Sequence, residues 1–248
     1  KPIDPMHALP WEPIDIEDPR FIADEGDALG RTSWYRSLTP ERQAQVNLHR
    51  IVHQMYLGAV FEGVLSQGLL QLVAREPDVD VGNYALHEVV EECRHMLMFR
   101  RFVVSAGLPV FPLPWAYGFA RNQVPKLGRS FPELFFVFVL AGEAPIDYVQ
   151  RQALRRTQHP LLKEIMRLHV REEARHLSFA HRFLKDRVPK LGSLRRTALA
   201  AASPYLVHSM TADMLDLPAG LMHRYGIPAS VRHEIATDAS SIGERKET

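Results

Sequence analysis

The sequence predicts an all-α protein: four long helices over about residues 39–187, an irregular arm before them (1–38) and further helical segments after them (190–248). Three observations carry this. Long stretches repeat apolar residues at helical spacing. Proline, glycine and capping residues fall at the ends of those stretches. No stretch alternates apolar and polar residues for long enough to build a sheet. A length of 248 residues fits one domain.

The elements follow in order. Residues 1–38 are rich in Pro, Asp and Glu and lack a period, which reads as an extended arm laid on the body, with Trp11 and Trp34 as anchors. Thr39-Pro40-Glu41 opens the first long helix: a Thr cap, a Pro at the first helical position and an acid in the first turn. That helix should reach about Ala74, ahead of Pro77-Asp78. A second should span about Val81 to Ala106 and stop at Gly107-Leu108-Pro109. Residues 107–129 carry Pro109, Pro112, Pro114 and Pro125 among several aromatics, which predicts a long irregular connection. Pro132-Glu133 opens a third helix that should run to about Arg156. Pro145 lies inside it and crowds the carbonyl of Ala141, which predicts a kink or bulge. A fourth helix runs from Pro160 to about Arg187. A last helical region covers about 193–224, followed by a polar tail.

Bulk properties exclude some classes. A net charge of +1 gives no electrostatic case for nucleic acid or a membrane surface. No purely apolar run reaches the roughly 18 residues of a membrane span. The N-terminal residues lack a signal-peptide pattern. The single cysteine, Cys93, rules out a disulfide within the chain and points to a reducing, cytoplasmic setting; it reads as a small packed residue.

The chemistry lies in two near-identical pentapeptides, Glu91-Glu92-Cys93-Arg94-His95 and Glu172-Glu173-Ala174-Arg175-His176. Each contains Glu-x-x-His, which puts a carboxylate and an imidazole one turn apart on one helix face. The helix before each pentapeptide carries a solitary acid in an apolar segment: Glu62 within Tyr56–Leu65, and Glu143 after Phe135–Gly142. A lone buried carboxylate is costly unless paired or bound to metal. One Glu from each of two helices and Glu-x-x-His from each of two others is the recipe of the ferritin-like di-metal carboxylate bundle.

His169 lies four residues before Glu173 and seven before His176, so it shares their face and offers a third imidazole. Glu91 and Glu172 point about 100° away from the inner face. They are expected to accept the outer ring N–H of the opposite histidine, Glu172 from His95 and Glu91 from His176. Arg94 and Arg175 are expected to neutralise those two acids, with Asp147 as a further supporting carboxylate. The register leaves one alternative open: Glu88 or Glu91 in place of Glu92. Tyr56, Phe61, Leu65, Phe136 and Leu140 are candidates for the substrate cavity if they face inward.

The order Glu, Glu-x-x-His, Glu, His-x-x-x-Glu-x-x-His resembles the p-aminobenzoate N-oxygenase family of di-iron enzymes, over about Thr39 to Arg187. The resemblance implies seven metal ligands: Glu62, Glu92, His95, Glu143, His169, Glu173 and His176. It implies two iron ions, with a mixed manganese–iron pair as an alternative. It also implies a homodimer, use of O2 with an external electron donor, and N-oxygenation of an arylamine-type substrate. Two other readings stay open. One is hydroxylation or desaturation of an acyl group on a carrier protein, with Arg151, Arg155 and Arg156 as a docking patch. The other is a non-catalytic iron-storage module.

Overall fold

A computed structural model describes residues 4–113 and 115–237. Of the polar tail expected after residue 224, Ala229–Thr237 instead forms a helix with Val231 buried, and the part from 238 onward lies outside the described residues. The described residues form helices and connections, with no strand among them. Eight helices are labelled here: α1 Pro40–Val73, α2 Val79–Ala106, α3 Trp115–Ser130, α4 Pro132–Arg156, α5 Pro160–Arg187, α6 Ser193–Leu215, α7 Ala219–Tyr225 and α8 Ala229–Thr237. Helices α1, α2, α4 and α5 make a ferritin-like four-helix bundle, with α1 packed on α2 and α4 on α5.

Local chemistry sets the ends. Thr39 Oγ1 accepts from Arg42 N, and Pro40 starts α1. The Asp78 side chain accepts from Asp80 N at 2.9 Å, so α2 begins two residues earlier than its apolar period suggested. Gly107 closes α2 at φ 62°, a left-handed position that a side chain would strain.

Three expectations need correction. The connection after α2 is not irregular throughout, because α3 occupies its second half with Pro125 inside. Tertiary packing overrides the proline there: Val124 and Leu127 pack on the core. Gly128 also lies so close to α1 that a Cβ on it would sit 1.9 Å from the Gly68 carbonyl oxygen. The last helical region is divided, because Pro218 starts a new helix after α6 ends at Leu215. Cys93 is exposed, not packed.

The arm includes short helical turns at Pro5–Ala8, Pro19–Phe21, Ala28–Arg31 and Ser33–Arg36. Its deepest anchors are Leu29, Phe21 and Tyr35, whereas Trp11 and Trp34 are half-buried. Phe21 stacks on His159. The Tyr35 hydroxyl donates to Gln43 O at 2.8 Å and accepts from Ala23 N at 3.0 Å.

Two apolar clusters flank the bundle's middle. One surrounds Leu65, Leu69, Phe135 and Phe136, which are fully enclosed. Burying each such side chain contributes about 1.5–3 kcal/mol. The other gathers Ile51, Met55, Phe99, Leu162 and Met166. Helix α1 is the one described helix long and apolar enough by composition to cross a membrane, and half of its most apolar window is buried inside the fold.

Candidate metal centre

Between the two apolar clusters lies a layer of buried acids and imidazoles. Glu62 comes from α1, Glu88, Glu92 and His95 from α2, Glu143 from α4, and His169, Glu173 and His176 from α5. All are at most 2% exposed. Two sets of their side-chain atoms are each compact enough to hold an ion, within 4.8 Å of one another: Glu62, His95, His169 and Glu173 in one, Glu88, Glu92 and His176 in the other. Glu143 lies outside these two sets, yet its strongest charged neighbours are Glu173, Glu62 and Glu92.

Each histidine points one nitrogen inward and one outward. His95 Nδ1 is 2.8 Å from Glu92 Oε2 and 3.3 Å from Glu173 Oε1. His176 Nδ1 is 2.9 Å from Glu92 Oε1 and 3.2 Å from Glu173 Oε1. His169 Nε2 is 3.2 Å from Glu62 Oε1. On the outer side, His95 Nε2 donates to Glu172 at 3.0 Å and His176 Nε2 donates to Glu91 at 2.9 Å. His169 Nδ1 donates to Gln150 Oε1 at 2.8 Å. Outer acceptors of this kind fix the ring and its tautomer, leaving the inner nitrogen free to bind a cation.

Electrostatics show a site short of positive charge. Burial pushes Glu62 and Glu143 well above the usual carboxylate range, and neighbouring acids push them further. Burial and Glu92 raise Glu173. Burial opposes the charge on Glu92, but His176 and His95 outweigh it and hold that acid low. Burial likewise opposes a proton on His95, yet Glu172 and Glu92 outweigh it and raise the imidazole. His169 is lowered by burial and by His95. Glu62 Oε2, Glu143 Oε1 and Glu173 Oε2 have no hydrogen-bond partner among the described residues. Five acids at the centre face three imidazoles, and the open oxygen lone pairs fit two divalent ions. Oxygen-rich sets with imidazole suit iron or manganese.

Two expected neighbours lie elsewhere. Arg175 pairs with Glu91 at 2.7 Å, but the arginine beside Glu172 is Arg171, at 3.5 Å, and not Arg94. Arg94 Nη1 is buried without a partner among the described residues. Asp147 pairs with Arg151 at 2.7 Å. Glu91 faces the outer nitrogen of His176, so it does not replace Glu92 at the inner face; Glu88 joins Glu92 there in addition. Gln150 was not singled out from the sequence, although it lies seven residues after Glu143 and so on its face.

A family model described as P-aminobenzoate N-oxygenase AurF matches residues 1–247. The chain belongs to the AurF family. Uncharacterized protein MT0908 of Mycobacterium tuberculosis (strain CDC 1551 / Oshkosh) is 35% identical over 238 residues, 93% of this chain and 70% of the relative. Uncharacterized protein Mb0909 of Mycobacterium bovis is 34% identical over the same shares. No solved structure matches the chain. Membership of the AurF family, with two buried His/Glu sets, makes the chain an O2-dependent di-iron oxidoreductase.

In this AurF-family chain a cavity of about 290 Å³ opens onto Glu62, Glu143 and His169. Its wall uses residues that precede the buried acids on α1 and α5 (Met55, Gly58, Met166) and follow them on α2 and α4 (Phe99, Ile146, Gln150). Helices α1 and α5 therefore run one way, and α2 and α4 the other. Of the five expected pocket residues only Phe61 lines this cavity. Leu65, Phe136 and Leu140 lie beyond the acids, in or against the closed apolar cluster. Tyr56 is on another side of α1, near the His53 ring. Its far end is lined by Phe21, Ile22 and Ala23 of the arm and by the Arg50–Asp27 ion pair.

Proposed function

We propose that the protein N-oxygenates a small amine of arylamine type, with Glu62, Glu92, His95, Glu143, His169, Glu173 and His176 holding two iron ions. The single observation that carries this reading is the cavity that opens onto Glu62, Glu143 and His169. It is predominantly apolar, and its size is at the low end for ligand pockets, which span about 300–1,000 Å³. That favours a compact ring over a long acyl chain. Two arginines of the suggested carrier-docking patch are also engaged, Arg151 with Asp147 and Arg156 with Asp24.

When bound, the iron pair supplies the redox chemistry that activates O2. The protein's own groups do the rest. Phe61, Phe99 and Ile146 exclude water around the reacting nitrogen. Glu172, Glu91 and Gln150 hold the three imidazoles in one tautomer. Gln54 and Gln150 give the cavity two polar contacts for orienting the substrate. For the first oxygenation the balance is R–NH2 + O2 + 2 electrons + 2 protons → R–NHOH + H2O, so an external donor provides two electrons.

The remaining readings are a single domain over the whole chain, a cytoplasmic setting and a homodimer. Leu86, Val90, Leu97 and Val104 form an exposed apolar stripe on α2 that supports a second copy docking there. The test is to give reduced, iron-loaded protein O2 with a panel of small arylamines and acyl-carrier substrates. Mass spectrometry should show one added oxygen on an amine. Loss of two hydrogens from an acyl group, or deposition of ferric mineral without substrate oxidation, would replace this reading with the corresponding alternative.

A further inference from the structure

Glu88 lies four residues before Glu92 on α2, as His169 lies four before Glu173 on α5. The two helices thus repeat a longer unit than the pentapeptide: Glu88-x3-Glu92-x2-His95 and His169-x3-Glu173-x2-His176. Residues four apart share a helix face, so Glu88 and His169 hold equivalent positions in the two halves of the centre. The geometry agrees. His169 groups with Glu62, His95 and Glu173, and Glu88 groups with Glu92 and His176, each within 4.8 Å.

Glu88 is 2% exposed, and neither of its carboxylate oxygens has a hydrogen-bond partner among the described residues. Its main charged neighbours are His176, Glu92, Glu173 and Glu91, one imidazole against three acids. A carboxylate stripped of water in such company either takes up a proton or is neutralised by a metal ion, and its grouping with Glu92 and His176 is that of an ion site.

We propose that Glu88 is a ligand of the second metal ion, the counterpart of His169 on the first. The inference rests on the two-metal reading above. It makes the centre asymmetric in charge: one ion meets the imidazoles of His95 and His169, the other meets His176 and an added carboxylate. The two ions should then bind with different affinities, the carboxylate-rich position favouring the harder ion.

The test titrates metal-free protein anaerobically with Fe2+, reading both affinities by calorimetry and the ions per chain by elemental analysis. Wild type should bind two ions. Glu88→Gln and Glu88→Leu should weaken one ion by about 10–100-fold or more, the range already seen when only an outer partner of a ligand is lost. The other ion should stay within about twofold. Two unchanged affinities in both variants would overturn the proposal, whereas a wild type that binds no pair of ions would instead overturn the two-metal reading. Thermal melting of the metal-free proteins gives a second readout. Glu88→Leu should raise the midpoint, because an unpartnered buried acid is removed; a lowered midpoint with intact metal binding would assign Glu88 a structural role and also overturn the proposal.

Discussion

The outer acceptors of the imidazoles offer a quantitative test of how the centre is held. Replacing Glu172 by Ala removes the group that accepts the His95 Nε2 proton at 3.0 Å, and Glu91→Ala removes the equivalent for His176 at 2.9 Å. Losing such a partner typically weakens metal binding about 10–100-fold, or about 1.4–2.7 kcal/mol. Burial decides where each falls in that range. The Glu172 side chain is 5% exposed, whereas the Glu91 side chain is 20% exposed and can be replaced by water. Glu172→Ala should therefore lie near the upper end and Glu91→Ala near the lower. At a free metal concentration of about 100 Kd, binding stabilises the wild type by about 2.7 kcal/mol. A tenfold weaker site retains about 1.4 kcal/mol, and a hundredfold weaker one about 0.4 kcal/mol. At about 2–4 °C per kcal/mol for a chain of this size, the metal-dependent rise in Tm should shrink by roughly 3–5 °C for Glu91→Ala and 5–9 °C for Glu172→Ala. The assay is differential scanning fluorimetry with and without metal, so that effects on the metal-free fold cancel. Arg171→Ala is the control, since that exposed side chain only approaches Glu172 at 3.5 Å. If both glutamate variants keep the full metal-dependent rise, the outer acceptors do not support the ligands.

Two further outcomes follow from the fold. Gly128→Ala should lower Tm: its methyl would press on the Gly68 backbone of α1, at about 1–3 kcal/mol for overpacking, against a gain of about 1 kcal/mol in helix propensity. An unchanged or higher Tm would mean that α3 does not cross α1 so closely. His49 supplies a pH dependence. Burial lowers its pKa, and its ring donates from Nε2 to Pro109 O at 2.7 Å while Nδ1 accepts from the Tyr225 hydroxyl at 3.0 Å. The unfolded chain therefore takes up that proton first as pH falls, and stability is lost below about pH 6.5. His49→Asn should flatten the decline between pH 7 and 5 in urea melts; an unaltered slope would refute the assignment.

Much of the bundle could be read in the sequence because local rules wrote it. Thr39-Pro40, Gly107 and Pro160 mark helix ends by their own backbone chemistry, independent of what packs nearby. Glu-x-x-His fixes a face because helix geometry is rigid. What could not be read depends on contacts between helices. Helix α3 forms through Pro125 because Gly128 meets Gly68, a pairing that no local pattern reveals. The apolar segments around Glu62 and Glu143 suggested pocket residues, but periodicity gives a face and not an end of the bundle. The longest apolar runs turned out to fill the closed end, and the open end is lined by segments that mix Gln and Arg with apolar residues. Arg94 does not pair with Glu172, because Arg171 on the same helix as that acid approaches it instead. Glu88 was visible as an alternative ligand, but the parallel with His169 emerges only when the pentapeptide is extended by one turn.

The division between repeated and unrepeated parts bears on how chemistry and selectivity are separated. The residues that can hold metal come from two helix pairs with the same grammar, and their supports are built across the pairs, Glu172 from α5 to His95 on α2 and Glu91 from α2 to His176 on α5. Each pair thus orients the other's imidazole, and neither half-centre is complete alone. The cavity wall has no such symmetry. It is made on one half of the centre, at the end where α1 and α5 enter, and its outer part is lined by Phe21, Ile22 and Ala23 of the arm. Those residues are held by Tyr35, Asn47 and His159, none of which touches the acids at the centre. A change in the arm can therefore reshape the space offered to a substrate without disturbing the ligands. The metal chemistry is constrained by both helix pairs at once, and the substrate's shape by a segment outside them.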